Sequence, residues 1–329
     1  MKTIAGTLAA PFPYFGGKSN ACELVWSLLG QPENYVEPFA GSAAMILGRP
    51  DGGGVETIND FDGFVANFWR AISKEPSLVA FHADWPVNEA DLLARHSWLV
   101  RQTESLRKAL HDPDYYDAKI AGWWCWGACN WIGSGWCSGR GPWVWDGEKI
   151  VDSRQLPHLG NAGQGINRKL PHLSAGRGEH PRTAFIREWM HKLATRLRDV
   201  RVTCGDWQRT VKDSVTVRHG LTGIFLDPPY TKGAMDYAAG GVGGELASAV
   251  RQWCAENGHH ESLRIVLCGH AGEHDALLEH GWHIRTWTAR KGYALTDDAI
   301  ENSASETLWC SPACVGVARR QELLFEVAA

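Results

Sequence analysis

No apolar run in this 329-residue chain approaches the roughly 20 residues needed to cross a bilayer, so no membrane-spanning helix is expected. The N-terminal stretch MKTIAGTLAAPFPYFGGK lacks the apolar region of about 7 to 15 residues and the cleavage site of a secretory leader. An untargeted, soluble, cytoplasmic protein is therefore expected. Disulfide framing is missing too, because the nine cysteines are odd in number, irregularly spaced, and set in a chain long enough to bury a core unaided. Cys125, Cys129 and Cys137, with His158 or His172, do not keep the spacing of a zinc knuckle, and no metal is expected. Neither a repeat of 20 to 50 residues, a low-complexity tract nor a Walker-type phosphate loop occurs.

What is present is a globular composition, 44% hydrophobic and 21% charged. The net charge of −4 hides an asymmetry. Residues 140–202 carry twelve Lys and Arg against six Asp and Glu, a net of +6 that leaves −10 for the rest. A local positive surface suits a polyanion; an ordinary solvated face is the plainer alternative.

Hydrophobic periodicity sets out an α/β order. Residues 19–29 place Leu24, Val25, Leu28 and Leu29 on one helical face, with Ser19 or Asn20 as cap. Tyr35 and Val36 read as a strand running into Glu37-Pro38-Phe39-Ala40-Gly41-Ser42-Ala43-Ala44, with a helix resuming over 43–47. A second strand, Glu56 to Ile58, ends at Asn59-Asp60 before the helical pattern Phe64, Val65, Phe68, Trp69, Ile72. This is a βαβ opening. From about 75 to 181 a polar helical stretch, Leu92 to Leu110, gives way to a Gly- and Trp-rich segment without periodicity. A helical stripe returns over Arg182 to Val200, followed by strands at Val200 to Cys204, Gly223 to Leu226 and Arg264 to Cys268. His283 to Thr288 and Thr307 to Cys310 are predicted to pair antiparallel at the sheet edge. The expected architecture is one Rossmann-like α/β sheet domain, residues 1–74 and 182–329, interrupted by an insertion over 75–181.

Asp227-Pro228-Pro229-Tyr230 follows the apolar run GIFL, at the carboxyl end of a predicted central strand, where open α/β sheets bind ligands. Two prolines cannot extend a central strand, so the chain leaves in a stiff turn that presents a carboxylate, unladdered carbonyls and an aromatic ring. Such a turn suits an exocyclic amine on a flat base: the amine donates to Asp227 and to the Pro228 carbonyl while Tyr230 stacks. These bonds draw the nitrogen lone pair out of conjugation and aim it at an electrophile. The base must first be flipped out of a duplex, which stacking partly offsets.

In this order the motifs resemble those of the Dam-like (D12 class) DNA adenine-N6 methyltransferases. The matching pieces are Pro13-Tyr14-Phe15-Gly16-Gly17-Lys18, the Glu37 to Ala43 loop, Asn59-Asp60, an insertion, Cys204-Gly205-Asp206-Trp207, and Asp227 to Tyr230. Their sequential order is more specific than any one piece. Ala43 departs from the family, which usually carries a third small residue there, often Gly. The resemblance implies a Rossmann-like methyltransferase fold and S-adenosyl-L-methionine as cofactor, with double-stranded DNA as partner and Asp227, Pro228, Pro229 and Tyr230 as catalytic residues. It also implies that Tyr14 to Lys18, the loop Glu37, Pro38, Phe39, Ala40, Gly41 and Ser42, then Asp60, Asp206 and Trp207, hold the cofactor. Asp60 would bind the ribose hydroxyls, or else cap the following helix. For Asp206 the same choice is between a place near the cofactor adenine and a turn cap. Lys18 would lie beside the cofactor carboxylate and the catalytic Asp, or else be a solvated lysine.

Seven tryptophans between 123 and 145 are interleaved with or followed by Arg140, Arg154, Arg168, Lys169 and Arg177, which together with Asn130 and Trp131 are the expected nucleic-acid contacts. A satellite core of indoles is the alternative for most of these tryptophans. Cytosine N4 as acceptor, or a catalytically inactive nucleic-acid-binding module on the same fold, remain the other readings. C5-cytosine methylation is not expected, because the Pro-Cys dipeptide that carries its nucleophile is absent.

Overall fold

A computed structural model describes residues 8–14, 18–50, 53–131, 136–137, 143–145, 150–152, 182–230, 243–286 and 306–316. A 3-10 turn, Lys18–Asn20, leads into α1 (Cys22–Leu29), β1 (Asn34–Glu37), α2 (Ala44–Leu47), β2 (Val55–Asp60) and α3 (Gly63–Lys74). Three helices follow, α4 (Pro76–Ala83), α5 (Glu89–Ala109) and α6 (Ala118–Asn130), then the strand pair β3 (Trp143–Trp145) and β4 (Ile150–Asp152). The chain continues through α7 (Arg182–Leu197), β5 (Arg201–Cys204), β6 (Thr222–Leu226), α8 (Gly243–Asn257), β7 (Leu263–His270), β8 (His283–Thr286) and β9 (Glu306–Cys310).

Seven strands form one sheet in the order β5-β2-β1-β6-β7-β9-β8. The first five are mutually parallel, and β9 runs antiparallel to both neighbours, β7 and β8. That is the doubly wound order of a dinucleotide fold with one reversed strand slipped in before the last. Alternate residues of the central strands enter opposite cores. Tyr35, Phe225, Val266 and Leu308 pack on one face, and Val36, Ile224, Leu226, Ile265, Leu267 and Trp309 on the other. Burial on both faces explains why these strands read as unbroken apolar runs. The antiparallel pairing of β8 with β9 matches the sequence expectation.

Some local expectations need correction. Neither Ser19 nor Asn20 caps α1: its N-cap is Ala21, which makes no side-chain capping bond. The cap of α3 is Asp62, whose side chain accepts from Phe64 N at 2.8 Å, so Asp60 does not serve there. The segment expected to lack periodicity contains α6. This helix buries residues all around its circumference, among them Ile120, Trp124, Cys125, Trp126 and Cys129, which erases the amphipathic signal.

The hydrophobic core runs across residue 75 without a break. Phe12 packs edge-on to Phe68 of α3 and Trp124 of α6, with ring centres 5.0 and 4.7 Å apart. Asn67 and Asp117 exchange hydrogen bonds, each of 2.9 Å, that fasten α3 to the start of α6. Asn130 and Trp131, expected at a nucleic-acid surface, lie in this interior instead. Asn130 is fully buried, donating to Trp126 O at 2.6 Å, and Trp131 is stacked on His96. The expected contacts Arg140, Arg154, Arg168, Lys169 and Arg177 lie outside the described residues, as do Phe15, Gly16 and Gly17.

Candidate active site

Strand order reverses between β1 and β6, and the segments singled out by sequence leave the carboxyl ends of β1, β2, β5 and β6. In an open sheet this reversal opens a crevice for ligand. The ladder of β6 with β7 ends at Leu226, and Pro228 and Pro229, lacking N–H groups, turn the chain out of the sheet.

Asp227 is the hub of the β6 side. Its Oδ1 accepts from the Tyr230 hydroxyl at 3.1 Å and lies 3.4 Å from Lys18 Nζ. Lys18, only 6% exposed, also donates to Glu306 Oε1 at 3.0 Å. The Tyr230 hydroxyl is 3.1 Å from Cys268 Sγ, and its ring packs edge-on to His270, centres 4.6 Å apart. Lys18 Nζ sits 4.9 Å from the centre of the same ring. The solvated reading of Lys18 is thus overturned. The half-buried Tyr230 ring is one wall of this cluster.

Burial by itself would lower the Lys18 ammonium, but the carboxylates of Asp227 and Glu306 raise it above the ordinary lysine range, so it stays charged. Burial raises Asp227, opposed by Lys18. Burial also raises Tyr230 and Cys268 well above their usual values, which keeps them a neutral hydroxyl and thiol.

On the β1 side the loop is held by its neighbours' polar groups. Gly41 N donates to Asp60 Oδ2 and Asp62 N to Asp60 Oδ1, both at 2.8 Å. Gly41 has φ +46°, and a Cβ there would collide with the Tyr14 ring, so glycine is required on two counts. Trp69 Nε1 donates to Gly41 O at 2.9 Å. Ala43 is also left-handed, φ 52°, a conformation that glycine adopts more readily. Phe39 is half-buried with its ring 6.0 Å from that of Trp207, while Pro38 and Ala40 are buried and Ser42 is half-buried.

Two expected cofactor contacts prove to be structural. Glu37 is 2% exposed and accepts from Tyr35 Oη and Ile46 N, each at 3.2 Å, which anchors the loop to α2 from beneath. Trp207 is 5% exposed and belongs to the core. Asp206 is exposed at the rim and caps the following turn by accepting from Gln208 N at 2.9 Å. Burial pushes Glu37 up to about 8 and Asp60 up to about 7.

Sequence reasoning missed Glu306, Cys268 and His270. Glu306 stands 288 positions from Lys18, and no local pattern marks it. Asn59 was legible as part of Asn-Asp, but not its task. Its side-chain amide donates to Pro38 O and Gly205 O, each at 3.0 Å, pinning the loops after β1 and β5 together. No protein-family model matches the chain, and no curated protein matches it significantly.

Proposed function

We propose that this chain is an S-adenosylmethionine-dependent DNA methyltransferase that modifies adenine N6 of a base flipped from double-stranded DNA. The observation that carries the reading is the Asp227-Pro228-Pro229-Tyr230 turn at the sheet's reversal point, its carboxylate held by the buried Lys18.

The β1 side suits the cofactor. Its half-buried Asp60, which already accepts two backbone N–H groups, has further lone pairs for hydroxyl donors. The loop 38–42, Asp60 and Lys18 would hold the group, with Asp206 at the rim. When bound it supplies a methyl group already activated on a sulfonium.

The remaining work falls to the chain's own residues. Lys18 and Tyr230 both engage Asp227 Oδ1, which leaves Oδ2 to accept one N–H of an exocyclic amine while the Pro228 carbonyl accepts the other. The ammonium of Lys18 favours the ionised carboxylate that this role needs. The half-buried Tyr230 would stack on the base beside this carboxylate.

Nucleoside mass spectrometry of unmethylated genomic DNA, incubated with the protein and S-adenosylmethionine, tests the proposal. N6-methyladenine is expected, and Asp227→Ala is expected to abolish it while calorimetry finds cofactor binding retained. Methyl on cytosine N4 would transfer the same chemistry to the other acceptor. No methylated nucleoside, or full activity in Asp227→Ala, would overturn the reading.

A further inference from the structure

The helices α4, α5 and α6 border a groove of about 440 Å³ that shares no residue with the Asp227 cluster. Phe81, Trp85, Trp98 and Trp123 form its walls, and Arg95 and Arg101 bring positive charge into it. Two of these large rings lie open to solvent, Phe81 at 68% exposure and Trp85 at 40%.

Arg95 is the unusual member. It is 6% exposed, and its guanidinium carbon lies 4.7, 4.8 and 4.4 Å from the ring centres of Trp85, Trp123 and Trp126. The rings compensate its charge through their faces, yet they offer no acceptor to the N–H groups in the guanidinium plane. Nη1 is buried without a hydrogen-bond partner among the described residues. A desolvated cation is costly, and an anion brought into the groove would relieve it. The groove's carboxylate, Asp91, is engaged by Trp85 Nε1 at 2.6 Å. Lys119 adds a further cation 4.5 and 4.4 Å from the ring centres of Trp98 and Trp123.

We propose that this groove is a nucleotide-binding site: the charge of Arg95, with Arg101 and Lys119, draws in the phosphate, and the base lies against Trp85 and Phe81. A simple carboxylate would satisfy the guanidinium but leave the aromatic wall uncovered. An aliphatic ligand would do the reverse. A nucleotide carries both an anion and a flat π face, and the groove's volume lies within the range of small-ligand sites, about 300 to 1,000 Å³. The inference stands on residues of this groove and does not depend on the methyl-transfer reading.

Tryptophan fluorescence of the full chain, without S-adenosylmethionine, tests it in titrations with a short oligothymidylate, the same oligomer with abasic sites, and thymidine 5′-monophosphate. The oligomer is expected to quench the indoles. Trp85→Ala should weaken it by about 5- to 100-fold, the loss of one stacked base, and leave the abasic oligomer unchanged. Arg95→Leu should weaken both oligomers and reduce the slope of log K against log salt by about 0.7. Trp85 is exposed enough that its variant keeps the fold, which far-UV circular dichroism checks, so the test survives even if Arg95→Leu fails to fold. Monophosphate binding with the same dependence on Trp85 assigns the groove to free nucleotides, and binding of the oligomer alone assigns it to a strand; both uphold a nucleotide site. Absence of quenching by all three probes, or Trp85→Ala with unchanged affinity for every probe that binds, overturns it.

Discussion

Glu37 and Asp60 hold the candidate cofactor loop with carboxylates whose proton affinities burial has raised to about 8 and about 7. For Glu37 the sign is definite. The folded chain keeps a proton that the unfolded chain, at its ordinary value of 4.5, has lost, so this group costs stability as pH rises from about 4.5 to about 8. Glu37→Gln removes the charge and keeps an acceptor for Tyr35 and Ile46. The variant is expected to gain on the order of a few kcal/mol over the native chain at pH 8, with the gain vanishing toward pH 4.5. Denaturant unfolding at a series of pH values measures it, and a difference independent of pH would refute the account. At this scale residue types were legible and partners only in part. Lys18 beside Asp227 was expected from motif order, whereas Glu306 reaches Lys18 through the pairing of β9 with β7, which no spacing announces.

Between elements, a buried ion cluster ties β2 to α7 and to the segment after α2. Glu56 at the start of β2 takes both Arg196 of α7, at 2.7 and 2.8 Å, and Arg49 after α2, at 3.0 Å. All three side chains are largely buried, and the arginines also donate to Ile46 O and Pro32 O at 2.7 Å. Removing the shared anion leaves two cations uncompensated. Glu56→Ala is therefore expected to cost about 3 to 5 kcal/mol in urea unfolding, and a loss below about 1 kcal/mol would show that solvent reaches the pair. Element types were legible in α1, α3, α5, α7 and the central strands, but α4, α8 and the β3–β4 pair were not named from sequence. Nor was α6 legible, because a helix buried all round has no polar stripe.

For the whole molecule, the shared core makes residues 76–131 part of the sheet unit's own packing. Phe12, Phe68 and Trp124 meet across α3 and α6, and Arg70 of α3 donates to the carbonyls of Asp112 and Tyr115, each at 2.8 Å. A chain in which 76–131 is replaced by a short linker would expose this face of α3 and α7. It is expected to lose its cooperative thermal transition, read by near-UV circular dichroism; a sharp transition near the native midpoint would mean the sheet folds without these helices. Among the described residues no helix is long and apolar enough to cross a membrane.

The sequence by itself determined the strand order's raw material: which runs are doubly buried and where prolines end β6. These are local consequences of period, side-chain branching and missing N–H groups. Tertiary structure alone decided that Asn130 and Trp131 are interior, that Glu37 and Trp207 support the crevice from beneath, and that Arg95 is set among indoles with one donor unpaired among the described residues. Each of those outcomes depends on desolvation by residues distant in the chain, and desolvation is a property of packing that no local pattern encodes.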